Sequence, residues 1–268
     1  MPELERPDGV SIHYELGGEG PLVALASYWS WSPGVFAELF AELERDHRVL
    51  TYDMRGIGRS TRSGPYDIET DTSDLEAALE RAGGAAALIA VADSANRGAR
   101  AAARRPDLVA SLICLGTAPI ARTAFRGREG MIASDAVVDA FIEMLSRDYR
   151  GALRTLLTAT NTQMSDSELG ERVSAQLDYC PQEAALARVR EWLQGDPTHD
   201  AREVGARLWL ATSPEGVAGP WLPDPDELAE LTAELVPEAH TVLIEGATSE
   251  PGVAANLVRE IAAGLRQT

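Results

Sequence analysis

The chain contains no lysine. All 24 of its basic side chains are arginine, set against 42 acidic residues for a formal net charge of −18. That balance repels a phosphate backbone, so a nucleic-acid partner is not expected. Cysteine is almost as scarce: Cys114 and Cys180 lie far apart, one in an apolar strand-like segment and one beside Pro181. This excludes a disulfide framework and points to free thiols in a reducing cytoplasm. No metal ligands fall at workable spacing, no cofactor motif is present, and no cofactor is expected. Long apolar runs are missing as well. The longest, Ala85 to Ala92, is mostly alanine and far short of the ~20 residues that span a bilayer, so no membrane partner is expected. The opening MPELERPDG lacks the basic-then-apolar pattern of a secretion signal. Histidine, the usual near-neutral base, occurs only four times.

What is present is ordinary for a globular α/β chain: 268 residues, 45% hydrophobic and 25% charged, enough for one large domain. Residues 8–17 alternate apolar and polar as an edge hairpin does. Short apolar strands are expected at Leu22 to Ala26, His47 to Tyr52, Ala85 to Val91 and Leu108 to Leu115. Helices fall between them, around Val35 to Glu44, from Asp71 to Gly83 and from Ala95 to Arg105. Strands alternating with helices predict a mostly parallel central sheet with helices on both faces. From Arg122 to Ala201 the periodicity turns helical throughout. Strand character returns at Ala206 to Ala211 and His240 to Glu245, before a closing helix, Val253 to Arg266. The expected organisation is a core of residues 1–121 and 202–268 carrying an inserted helical cap, 122–201.

Two stretches carry a resemblance. TYDMRGIGRST, residues 51–61, is similar to a D-x-R-G-x-G-x-S turn, with Asp53, Arg55, Gly56, Gly58 and Ser60 in place. Residues 88–106, LIAVADSANRGARAAARRP, resemble the strand and helix flanking a nucleophile elbow. On these grounds the chain resembles the α/β-hydrolase superfamily, in its short, cap-bearing esterase, lactonase and haloperoxidase-like branch. The resemblance implies the α/β-hydrolase fold and a small-molecule ligand or substrate.

The same resemblance implies a Ser-His-acid triad with its serine in a G-x-S-x-G turn, and here the residues depart from the pattern. Aligned without a gap, Ala90 and Ser94 take the glycine positions and Ala92 the nucleophile position. A shifted alignment makes Ser94 the nucleophile in A-D-S-A-N, with Asn96 in the second glycine position. A third possibility takes Asp93 as a carboxylate nucleophile, which needs histidine help to clear the ester. The acid position falls on Glu215. The histidine position falls on Thr248 or Ser249, neither of which can act as an imidazole does. Of the four histidines, His199 is the least implausible substitute base. The oxyanion-hole loop, Ala26-Ser27 followed by YWSWSP, keeps its backbone donors at Ser27 or Tyr28. With Trp29 and Trp31 it offers an aromatic wall for a ligand. Two readings follow. In one the protein has lost triad hydrolysis and binds, or transforms without hydrolysis, a small apolar molecule. In the other it is an ester or lactone hydrolase working through a displaced Ser94.

Overall fold

A computed structural model of the chain describes residues 2–29, 36–128, 131–160, 164–212, 224–243 and 251–264. Eight strands form one sheet: β1 (Glu3–Glu5), β2 (Ser11–Gly17), β3 (Leu22–Leu25), β4 (Arg48–Tyr52), β5 (Ala86–Ala90), β6 (Val109–Leu115), β7 (Leu208–Thr212) and β8 (His240–Leu243). Their order is β1-β2-β4-β3-β5-β6-β7-β8. β2 is antiparallel to both β1 and β4, and every pairing from β4 across to β8 is parallel. This is the mostly parallel sheet that the alternating pattern predicts.

Strand β5 shows why the apolar runs are continuous rather than alternating. Leu88 and Ala90 face one layer of the core while Ala87 and Ile89 face the other, and all four are buried. A strand covered on both faces has no solvent side to mark with polar residues. One layer is closed by α2 (Ile68–Ala82) and α3 (Ser94–Arg104), through Leu75, Leu79 and Ala99. The other is closed by α1 (Ala37–Leu43) and α10 (Pro251–Gly264), through Leu39, Leu43, Val258 and Ile261. Helix α3 is rich in alanine because it lies close on the sheet. A Cβ added at Gly98 would come within 2.8 Å of Leu112 Cδ1.

Between β6 and β7 the chain runs through α4 (Asp135–Arg147), α5 (Tyr149–Thr160), α6 (Asp166–Tyr179), α7 (Gln182–Gln194) and α8 (Thr198–Val204). The described residues between Arg122 and Ala201 contain no strand. Helix α8 straddles the anticipated cap boundary and packs against α3 of the core. Three elements differ from the sequence reading. The edge hairpin expected within residues 8–17 instead pairs Glu3–Glu5 with Ser11–Gly17. Helix α2 begins at Ile68, ahead of the expected Asp71, because the Asp67 carboxylate caps it by accepting the Thr70 N–H at 2.8 Å. Helix α9 (Pro225–Leu235) was not anticipated, although Asp224 caps it and Pro225 occupies its first turn, a legible start signal. Both cysteines are buried free thiols. Among the described residues no helix is long and apolar enough to cross a membrane.

The turn after β4 is held from within. Ser60 Oγ donates to the Asp53 carbonyl at 2.6 Å and accepts the His13 N–H at 2.9 Å, tying the turn to β2. Gly58 has φ +55°, and a Cβ there would lie 2.5 Å from the Asp53 carboxyl carbon. Gly58→Ala combines a strained backbone with a clash. It is expected to lower unfolding free energy by about 2 kcal/mol or more in urea denaturation.

Candidate functional site

Strand β5 ends at Ala90, and helix α3 begins only four residues later, at Ser94. The turn between them requires a left-handed residue, and that residue is Ala92, with φ +47°. A side chain at positive φ is uncommon outside glycine and asparagine, and it clusters where a fold holds a residue in a fixed, strained pose. Here the strained position presents a methyl group.

Ser94 stands elsewhere. It is the first residue of α3, fully buried, with its hydroxyl accepting the Val91 N–H at 2.8 Å and donating to the Val91 carbonyl at 2.8 Å. Both capacities of the hydroxyl are thus committed to closing the turn. All four histidines fall in described residues, and none hydrogen-bonds to Ser94 or Asp93. His13 and His47 are buried in the early strands' neighbourhood, His199 is exposed on α8, and His240 stacks on Trp209 with ring centroids 4.2 Å apart. Glu215, Thr248, Ser249 and Trp31 lie outside the described residues.

Asp93 is fully buried. One carboxylate oxygen takes the Arg97 guanidinium at 2.5 Å, and the other accepts the Trp29 N–H at 3.3 Å. Arg97 also donates to the Ser27 carbonyl at 2.8 Å. Burial pushes the Asp93 carboxyl up, while the Arg97 charge pulls it back toward ionisation. Burial alone would weaken the Arg97 cation, but Asp93 and Asp71 more than reverse this. The loop after β3, which the resemblance implies as an oxyanion hole, is therefore stitched to α3 by an internal carboxylate. Its other members are packed too. Ser27 Oγ donates to the Tyr52 carbonyl, Tyr28 meets Phe36 edge-on at 6.1 Å, and the Trp29 carbonyl accepts Gln176 Nε2 at 3.2 Å. Burial raises the Tyr28 hydroxyl well above its ordinary range.

The cap closes this site with charge. Arg188, on α7, forms a bidentate pair with Asp71 on α2, at 2.7 and 2.8 Å, and also donates to the Arg55 carbonyl at 2.8 Å. All three groups are buried. Arg55 in turn holds Asp74 at 2.6 and 3.0 Å and Asp8 at 2.7 Å. Three residues from Arg188, Glu191 takes the Asn96 amide at 3.4 Å, and burial raises its carboxyl. The sequence reading passed over Arg97, Arg188, Glu191 and Tyr52. The Asp93/Arg97 pair at i,i+4 was visible as a spacing. Nothing in α7 distinguishes Arg188 from its surface neighbours.

A groove of about 530 Å³ is lined by Phe40, Val49, Glu44, Asp53, Arg59 and Tyr179. Asp53 is tied there by Arg59 at 3.0 Å and by the Tyr179 hydroxyl at 3.1 Å. Among the described residues no three His, Cys, Asp or Glu side chains converge to hold a metal ion.

The family described as alpha/beta hydrolase fold matches residues 17–265. The chain belongs to that family. Among curated proteins it is 34% identical over 116 residues to the polyketide synthase ThaQ of Burkholderia thailandensis, across 42% of this chain and 6% of that one. It is 26% identical over 148 residues to the pimeloyl-acyl-carrier-protein methyl ester esterase of Aliivibrio salmonicida, across 55% of this chain and 54% of that one. The chain thus spans a small fraction of the first relative and about half of the second. The bromoperoxidase structure from Bacillus anthracis superposes with a TM-score of 0.76 at 20% identity, covering 97% of this chain and 96% of that one. At that identity the likeness shows the fold.

Two measurements follow from the charge network. Arg188→Met leaves Asp71 buried without its partner and is expected to cost about 3–5 kcal/mol of stability in chemical denaturation. The double variant Asp71→Asn/Arg188→Met should recover most of that loss. Glu191 has a folded-state pKa raised above its ordinary 4.5. Its contribution to stability is therefore full below about pH 4.5 and is lost as pH rises through the raised value. In parallel unfolding series, Glu191→Gln should remove that decline relative to the parent chain.

Proposed function

We propose that this protein does not perform Ser-His-acid hydrolysis, and that its elbow-and-cap site binds a small, largely apolar molecule or transforms one without an acyl-enzyme. The observation that carries this reading is Ala92 at the positive-φ elbow position. An elbow exposes the side chain at that position to the substrate, and a methyl group has no electron pair to attack with.

The alternative, an ester or lactone hydrolase working through Ser94, has the esterase relative in its favour. It is opposed by the Ser94 hydroxyl, which is buried and doubly bonded to Val91. A nucleophile needs a free trajectory and a base within about 3 Å. Asp93 as a nucleophile meets the same objection, since both of its oxygens are engaged and it is fully buried.

Treatment with a broad fluorophosphonate probe, read by intact mass and peptide mapping, is expected to give no adduct on Ser94. Turnover of p-nitrophenyl esters should be absent and unchanged by Ser94→Ala. Esterase activity that disappears in Ser94→Ala would overturn the reading. Ala92→Ser alone is expected to yield at most trace esterase activity. A lone serine lacks the base that makes the triad act as a unit.

A further inference from the structure

The groove beside Asp53 is built by three elements, each turning one face toward the same space. Helix α1 supplies Ala37, Phe40, Ala41 and Glu44, the i, i+3, i+4, i+7 stripe of a single helix face. Strand β2 supplies Glu15 and Gly17, and β4 supplies Thr51 and Val49. These residues pair in register, Glu15 with Thr51 and Gly17 with Val49, so all four lie on one side of the sheet. The stripe on α1 is apolar up to its last member, with Phe40 packed into the core and the Ala37 and Ala41 methyl groups exposed. A volume of about 530 Å³ is that of a small-molecule pocket.

The charges in this groove do not balance. Glu15, Glu44 and the buried Asp53 supply three carboxylates against one cation, Arg59. Arg59 is already shared, donating to Glu15 at 2.5 Å and to Asp53 at 3.0 Å, and it holds the Glu15 carboxyl below its usual range. The Glu44 carboxylate has no hydrogen-bond or ion-pair partner among the described residues. It lies against β2, where a Cβ on Gly17 would clash with its Oε1. The glycine thus makes room for a second carboxylate on the strand face that also carries Glu15, two residues away. Like charges gathered on one wall are complemented by a cation. The neighbouring apolar stripe asks for a hydrocarbon body on the same ligand.

We propose that this groove is a second binding site, for a small organic amine, with the ammonium group at Glu15 and Glu44 and the hydrocarbon body along Ala37, Phe40 and Ala41. The inference goes beyond the elbow reading and does not depend on it, since Ala92, Asp93 and Ser94 are not among the residues lining the groove.

The test is titration of the intact protein at pH 7 and low ionic strength with hexylamine, which is cationic there, and with hexanol and hexanoate as its neutral and anionic counterparts. Calorimetry and ligand-observed NMR read the affinities. Hexylamine is expected to bind about fivefold tighter than hexanol and hexanoate more weakly than either, with the amine's advantage falling as salt is added. Two variants locate the ligand. Glu44→Gln should remove most of the amine's advantage over hexanol. Ala41→Leu fills the groove from an exposed position on α1, so it should weaken amine and alcohol alike by about fivefold while the thermal midpoint stays that of the parent chain. Hexanol binding as tightly as hexylamine, a preference for hexanoate, or no binding by any probe would overturn the proposal. Hexylamine affinity unchanged in either variant would overturn it too, because the amine would then sit elsewhere. Esterase activity through Ser94 would overturn the elbow reading and leave this site standing.

Discussion

The buried pair between Asp93 and Arg97 is the interaction on which the site's architecture depends. It sits one residue past the strained Ala92 and one turn into α3, and it reaches across to the loop after β3 through the Trp29 N–H and the Ser27 carbonyl. Sheet, elbow and loop are thereby fixed relative to one another by hydrogen-bonded charge. Removing either partner would leave the other ionised in a buried site, the costly half of any buried ion pair. The pair therefore stabilises an arrangement in which the neighbouring donor stays engaged.

The cap is attached by the same physics. Arg188 reaches from α7 down to Asp71, and the Gln176 amide reaches from α6 to the Trp29 carbonyl. Arginine is well suited to both roles seen here, since its planar fork takes a carboxylate with two bonds and a backbone carbonyl with a third. A chain without lysine has only this cation to use. Its large buried polar groups, Arg55, Arg97 and Arg188, are all of that type.

Much of the fold was legible because the signals were local. Apolar runs gave the strands, the glycine-punctuated turn after β4 carried the resemblance, and the change to helical periods at Arg122 marked the insertion. Helix α9 is announced only by Asp224 and Pro225, a start signal of two residues. The site was less legible for a physical reason. Ala92 and Ser94 sit two residues apart, and sequence alone cannot say which one the turn forces to positive φ. The sharpness of the turn decides it, and that depends on how β5 and α3 pack. Arg188 and Asp71 are 117 positions apart. Their pairing is a property of the cap seated on the core, and neither carries a local pattern that announces it.

The seating of α7 has a consequence for time as well as for structure. Lifting that helix would separate Arg188 from Asp71 and expose both to solvent while Arg55 lost a contact on its carbonyl. An opening of that kind is rare and brief in a chain at equilibrium. Anything whose entry required that lifting would exchange at the rate of those openings, not at the rate of diffusion. Occupancy would then change slowly, and the site would average over fluctuations in ligand supply shorter than its own opening time.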